Sequence, residues 1–122
     1  MISDSESTAS PAQQEERITI EEFRKLDLRV GTILKAEPHP NADRLLVLQV
    51  DLGSDERQLV AGIRGHYAPE SLVGRQIVVV ANLEPATLRG IQSQGMILAA
   101  SSGESLVVIT PEQQITAGAK VS

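Results

Sequence analysis

Asn82, Arg89, Ser93 and Gln94 share one polar stretch bounded by apolar runs, Ile77-Val78-Val79-Val80-Ala81 before it and Met96-Ile97-Leu98 after it. An arginine can hold a phosphate, and amides or hydroxyls can meet a ribose or a backbone oxygen. A polar segment whose ends are gripped by buried strands is where a β-barrel presents binding groups. Arg89, beside the flexible Gly90, is the first choice for a phosphate contact, with a solvated loop cation as the plain alternative. Asn82 and Ser93 are binding candidates that could equally cap a loop or satisfy a strand end. Gln94 is a weaker candidate. Met96 offers an apolar contact at the rim or packs in the core. Arg29 and Lys35, on the first expected strand, could flank a groove.

Catalysis finds no support in the chain. Gly90-Ile91-Gln92-Ser93 lacks the glycine two residues before the serine that a nucleophile elbow needs, because Ile91 stands there. The two histidines, His39 and His66, each stand beside a turn with no carboxylate partner close in sequence, and there is no cysteine. That is too few ligands for zinc, and no calcium-loop spacing occurs. Gly62-Ile63-Arg64-Gly65 has neither the lysine nor the following helix of a phosphate loop. His39, between Pro38 and Pro40, reads as a turn residue, as do Asn41 and Asp43. The chain is read as non-enzymatic, with no metal or cofactor.

Aromatic residues narrow the kind of binding. There are only Phe23 and Tyr67, 2% of the chain, and neither falls on an expected strand. Modules that hold single strands stack bases on aromatic rings. Recognition of a folded RNA by shape, through Arg and Lys on phosphates, fits better. The net charge of −5 argues against a nucleic-acid partner at first. Yet Asp4, Glu6, Glu15 and Glu16 precede Arg17, and all 11 basic residues lie at or after it, against 12 acidic ones. The remainder is near neutral, so weak and salt-sensitive affinity is expected.

Residues 1–16 carry almost nothing apolar and read as a disordered acidic tail, leaving 17–122 as one domain. Absent cysteine, a signal-peptide pattern or a membrane-length apolar run, the expected location is cytoplasmic. Thr19-Ile20-Glu21-Glu22 is a capping box opening a short helix that carries Phe23 and Leu26 inward and ends near Asp27. Strands are expected over 28–37, bulged or bent at Gly31, then over 45–52, 57–63, 75–83, 96–101 and 106–109, with a last one over 118–122. Leu46, Leu48, Val50 and Leu52 share one face, and the 77–80 run is buried on both. Pro69-Glu70-Ser71-Leu72-Val73-Gly74 reads as a one-turn helix. The fold class is all-β: a five-stranded OB-fold barrel with a short N-terminal helix and one small helix between strands three and four. An unrelated β-sandwich or SH3-like barrel is the alternative.

From residue 18 to 122 the chain resembles the tRNA-binding domain found at the C-terminus of many bacterial methionyl-tRNA synthetases and in small free-standing tRNA-binding proteins. The resemblance runs in order through Phe23-Arg24-Lys25-Leu26-Asp27-Leu28-Arg29-Val30-Gly31, Ala36-Glu37-Pro38-His39-Pro40-Asn41-Ala42-Asp43-Arg44-Leu45, Val60-Ala61-Gly62-Ile63, Tyr67-Ala68-Pro69-Glu70, Leu72-Val73-Gly74-Arg75 and the segment from Asn82 to Met96. It implies a structure-specific, largely sequence-nonspecific grip on the outer corner of tRNA, acting in trans and assisting methionyl-tRNA synthetase as a stand-alone protein or beta-like subunit. It places Asn82 and Ser93 around the RNA site. It also implies a homodimer, because longer relatives carry a further C-terminal segment that imitates a second subunit. Where the family carries a lysine this chain has Glu84, which would repel phosphate unless it pairs with Arg89 or points away. A CsaA-type secretion chaperone, binding unfolded polypeptide, is the alternative function.

Overall fold

The computed structural model describes residues 16–122. The tail expected over 1–16 therefore lies outside the described residues, except for the exposed Glu16. Helix α1 (Ile20–Phe23) begins at the capping box: the Thr19 hydroxyl accepts the Glu22 N–H at 3.1 Å, and the Glu22 carboxylate accepts the Thr19 N–H at 2.9 Å. The helix closes after one turn, earlier than the sequence implies. Phe23 packs beneath it, but Leu26 falls in the following turn and is 39% exposed rather than inward.

The barrel wall runs β3 (Glu56–Ala61), β2 (Leu46–Asp51), β1 (Leu28–Pro38), β4 (Gln76–Val80), β7 (Met96–Ile97), all neighbours antiparallel. Residues 93–95, which lead into β7, lie against β3 and nearly close the ring. There Gln94 N–H donates to Gln58 O, and the Ser93 hydroxyl accepts Val60 N–H. Strand alternation puts Leu46, Leu48 and Val50 inside, where they meet Leu52, Leu59, Ile33 and Leu72 at no more than 1% exposure.

The continuous apolar run of β4 has a clear cause. Ile77 and Val79 face the barrel interior, whereas Val78 and Val80 pack outside with Leu28 under Phe23, Leu98 and Val121. Both faces are covered, so alternation disappears. A single 3-10 turn, Pro69–Ser71, takes the place of the small helix between β3 and β4, and Leu72 after it plugs the core.

Gly31 has a different role from the expected bulge. A Cβ there would stand 2.5 Å from Val50 Cγ1, so glycine lets β2 pack against the backbone of β1. The register shift between β1 and β2 lies between Ile33 and Lys35, at the exposed Leu34.

Further differences concern the second half. Residues 82–95, read as a loop, contain a hairpin of β5 (Ala86–Leu88) and β6 (Ile91–Ser93). The strand expected over 96–101 is two: β7 stays in the wall, and the exposed β8 (Ala99–Ser102) pairs with β9 (Ser105–Val108), whose Leu106 and Val108 pack on the core. The break falls at Leu98, whose N–H bonds to Val78 O while its carbonyl accepts Ile109 N–H. Finally β10 (Lys120–Val121) pairs with Leu28 and Arg29 of β1, continuing the line that β2 leaves at Thr32. The preceding segment is pinned by Gln76, whose side-chain amide donates to Ile115 O and accepts its N–H. Among the described residues no helix is long and apolar enough to cross a membrane.

Candidate functional site

Arg89 owes its position to a two-residue turn. Leu88 faces Ile91 across the β5–β6 ladder, leaving Arg89 and Gly90 at the tip with φ of +53° and +93°. Positive φ at both central residues defines a type I′ turn, whose twist suits a hairpin. Arg89 is the one non-glycine residue among those described with positive φ. For an arginine this region costs about 1–2 kcal/mol relative to the right-handed one.

The tip projects toward the turn between β1 and β2. Arg89 lines a cavity of about 350 Å³ with Asn41, Ala42, Asp43, Arg44 and Leu45. Arg44 also borders a second hollow with Gly62, Gly65 and His66, and Arg64 reaches the same turn to donate to Ala42 O at 3.4 Å. Arg44, Arg64 and Arg89 form no ion pair among the described residues, whereas Arg29, Lys35, Arg57 and Lys120 each do. Three arginines outside any ion pair among the described residues thus gather around residues 41–45, where Asp43 is the one carboxylate lining the cavity with Arg44 and Arg89. Arg44 and Arg64 escaped the sequence reading. The adjacency of Arg44 to a turn of fixed geometry was the available signal.

The other candidates are engaged elsewhere. Asn82 pins the α1 segment, accepting Asp27 N–H at 2.9 Å and donating to Lys25 O at 2.6 Å. Ser93 is buried, and its hydroxyl accepts Val60 N–H and donates to Gly95 O, both at 2.9 Å. Gln94 accepts Gln58 N–H through its side-chain oxygen. Arg29 holds Asp27 in a paired contact of 2.9 and 3.0 Å. That bond to Arg29 is the main reason the Asp27 carboxyl titrates below its usual range, with Lys120 at 3.8 Å and the more distant Arg57 adding to it against partial burial. Lys35 pairs with Glu37 at 3.0 Å beside a cleft lined by Pro38, Pro40, Val47, Gln49, Gln58 and Ile91. Met96 faces Val80 and is half exposed on the outer apolar surface. Arg89 therefore shares its cavity with the 41–45 turn, and neither Asn82 nor Ser93 lines it.

Neither aromatic ring offers a stacking platform. Phe23 covers the outer cluster, and the Tyr67 hydroxyl accepts Val108 N–H while its ring lies under Arg75. Glu84 is exposed and forms no ion pair among the described residues, Arg89 included. No group of three or more His, Asp or Glu able to hold a metal occurs among the described residues.

The fold is an OB-like barrel in which the β5–β6 tip and the β1–β2 turn share a cavity bordered by Arg44 and Arg89. The chain belongs to the tRNA-binding domain family: the model described as "Putative tRNA binding domain" matches residues 28–120. It is 52% identical over 106 residues to a methionine–tRNA ligase of Thermococcus kodakarensis, covering 87% of this chain and 14% of that enzyme. A methionine–tRNA ligase of Thermotoga maritima is 57% identical over 109 residues, 89% of this chain and 17% of the enzyme. The chain thus spans about a sixth of the length of these relatives. Among solved structures it is similar to a MetRS-related protein of Pyrococcus horikoshii (TM-score 0.83, 34% identity, 88% of this chain and 99% of that one). It is also similar to the chaperone CsaA of Bacillus anthracis (TM-score 0.81, 33% identity, 87% and 99%).

Proposed function

We propose that the protein is a non-catalytic tRNA-binding module that grips folded tRNA by its phosphates and assists methionyl-tRNA synthetase in trans. The observation that carries this reading is the cavity where Arg89 meets Arg44, both without a carboxylate partner among the described residues. Arginines on a phosphate backbone give affinity without sequence preference, and the absence of a stacking ring removes a means of reading bases. The near-neutral domain makes that affinity weak and salt-dependent.

The module acts as a homodimer. Met96, Ile109, Leu26 and Leu83 leave apolar surface exposed, with Met96 and Ile109 beside the outer cluster of Leu28, Val78 and Val80. Two copies present two basic turns and gain avidity. Sedimentation as a monomer at micromolar concentration would refute this part.

One feature favours a second reading, capture of unfolded polypeptide. The cleft of Pro38, Pro40, Val47 and Ile91, edged by the amides of Gln49 and Gln58, has about 350 Å³ and suits an extended apolar segment. A gel shift with bulk tRNA at low salt, run against suppression of aggregation of an unfolded protein, separates the two. A shift that fades with salt, without aggregation suppression, supports tRNA. The reverse pattern supports the chaperone. Co-purification with the synthetase's catalytic chain tests the partner.

A further inference from the structure

His39 is 2% exposed, and both of its ring nitrogens are engaged. Nδ1 accepts the Asn41 N–H at 2.9 Å, so it carries no proton. The proton is therefore on Nε2, which lies 2.9 Å from the carbonyl of Leu88 and donates to it. Asn41 begins the turn that carries Arg44, and that turn is closed by the bond from His39 N–H to Leu45 O. Leu88 immediately precedes Arg89. One imidazole thus ties together the two loops whose arginines line a common cavity.

We infer that Arg44 and Arg89 form a single phosphate-binding site, and that His39 is the positioning residue that assembles it. The site takes one phosphodiester or phosphate group between two guanidinium forks. The physical need for the clamp is plain. A two-stranded hairpin of three residues a side has little stability of its own and would sample many orientations. The Arg89 turn is also strained. A buried hydrogen bond from a rigid ring removes that freedom before the anion arrives, which is preorganisation. The inference rests on the tRNA reading for its natural ligand but not for its chemistry.

The test compares His39→Asn with His39→Gln. The asparagine oxygen can accept the Asn41 N–H as Nδ1 does, yet its side chain is too short to reach Leu88. The glutamine amide can reach Leu88 and donate to it. Two probes are used, inorganic phosphate followed by NMR at the Arg44 and Arg89 Nε–H groups, and bulk tRNA followed by anisotropy, at temperatures where melting shows every variant folded.

In the unaltered protein both arginines respond to phosphate with one concentration dependence. In His39→Asn the Arg89 response weakens, tRNA affinity falls about tenfold and the log–log salt slope drops by about 1. His39→Gln restores most of both. In an Arg89→Ala background His39→Asn costs nothing further, because it acts through Arg89. Equal losses with and without Arg89, or no rescue by glutamine, overturn the positioning role. If phosphate moves neither arginine, the site is refuted. If phosphate moves both but tRNA does not bind, the site stands and the tRNA reading falls.

Discussion

Arg89→Asn should make the protein more stable and a worse RNA binder at once. Arginine at φ +53° carries a backbone penalty that asparagine, at home in the left-handed region, largely avoids. Recovering about 1 kcal/mol would raise Tm by about 4–8 °C for a domain of this size. The same change removes a cation from the cavity shared with Arg44. Loss of one charge-assisted phosphate contact should weaken tRNA binding about tenfold at low salt and lower the salt slope by about 1. Arg89→Lys is the control: it keeps both charge and strain, so neither Tm nor slope should move much. Thermal melts and anisotropy titrations at several KCl concentrations read the two effects separately. A lower Tm for Arg89→Asn would refute the argument from turn geometry. Unchanged affinity and slope would show that Arg89 does not face the RNA.

Three further outcomes are expected. Glu84→Lys should tighten tRNA binding and steepen its salt dependence, since Glu84 is exposed with no ion-pair partner among the described residues; a flat comparison across a salt titration would place residue 84 away from RNA. Ser93→Ala should cost about 1–3 kcal/mol in urea unfolding, because it strips the buried Val60 N–H of its acceptor, while tRNA affinity of the folded protein stays the same. Acid should weaken the fold through Asp27 and Asp55, held below 3.8 chiefly by hydrogen bonds from Arg29 and from Arg57 respectively. A lowered folded pKa means stability that is full above the unfolded value and lost as pH falls from about 3.8 through the folded one. Asp27→Asn should flatten part of that decline in urea midpoints, and an unaltered slope would sink the assignment.

Strand positions were readable wherever burial is one-sided or complete. Leu46, Leu48 and Val50 announce β2 by alternation, and the unbroken run of β4 announces two covered faces. The capping box at Thr19 is local chemistry and was legible as such. The β5–β6 hairpin was not. Its residues Ala86, Thr87 and Leu88 are all exposed, so no hydrophobic period marks them, and its turn uses Arg-Gly rather than Asn-Gly. Candidate binding groups suffered from the same blindness to distance. Asn82 and Ser93 are polar and near Arg89 in sequence, yet their partners, Asp27, Lys25 and Val60, lie far away along the chain. Arg44 and Arg64 join Arg89 only through tertiary folding, which spacing cannot reveal. Composition gave no hint of them either, because a balanced total hides a local excess.

The short strand β10 has a consequence for how the chain reaches its fold. Until residues 120 and 121 exist, the side of β1 at Leu28 and Arg29 away from β4 has no ladder partner. A chain folded through β9 alone would thus hold a formed wall with an open edge at β1. Open edges recruit strands from other molecules. Pairing segments as far apart in sequence as β1 and β10 is also slow, since loop closure must precede any gain. Refolding at high concentration should therefore divert part of the population into intermolecular β1 contacts, and crowding on polysomes would expose the same weakness during synthesis.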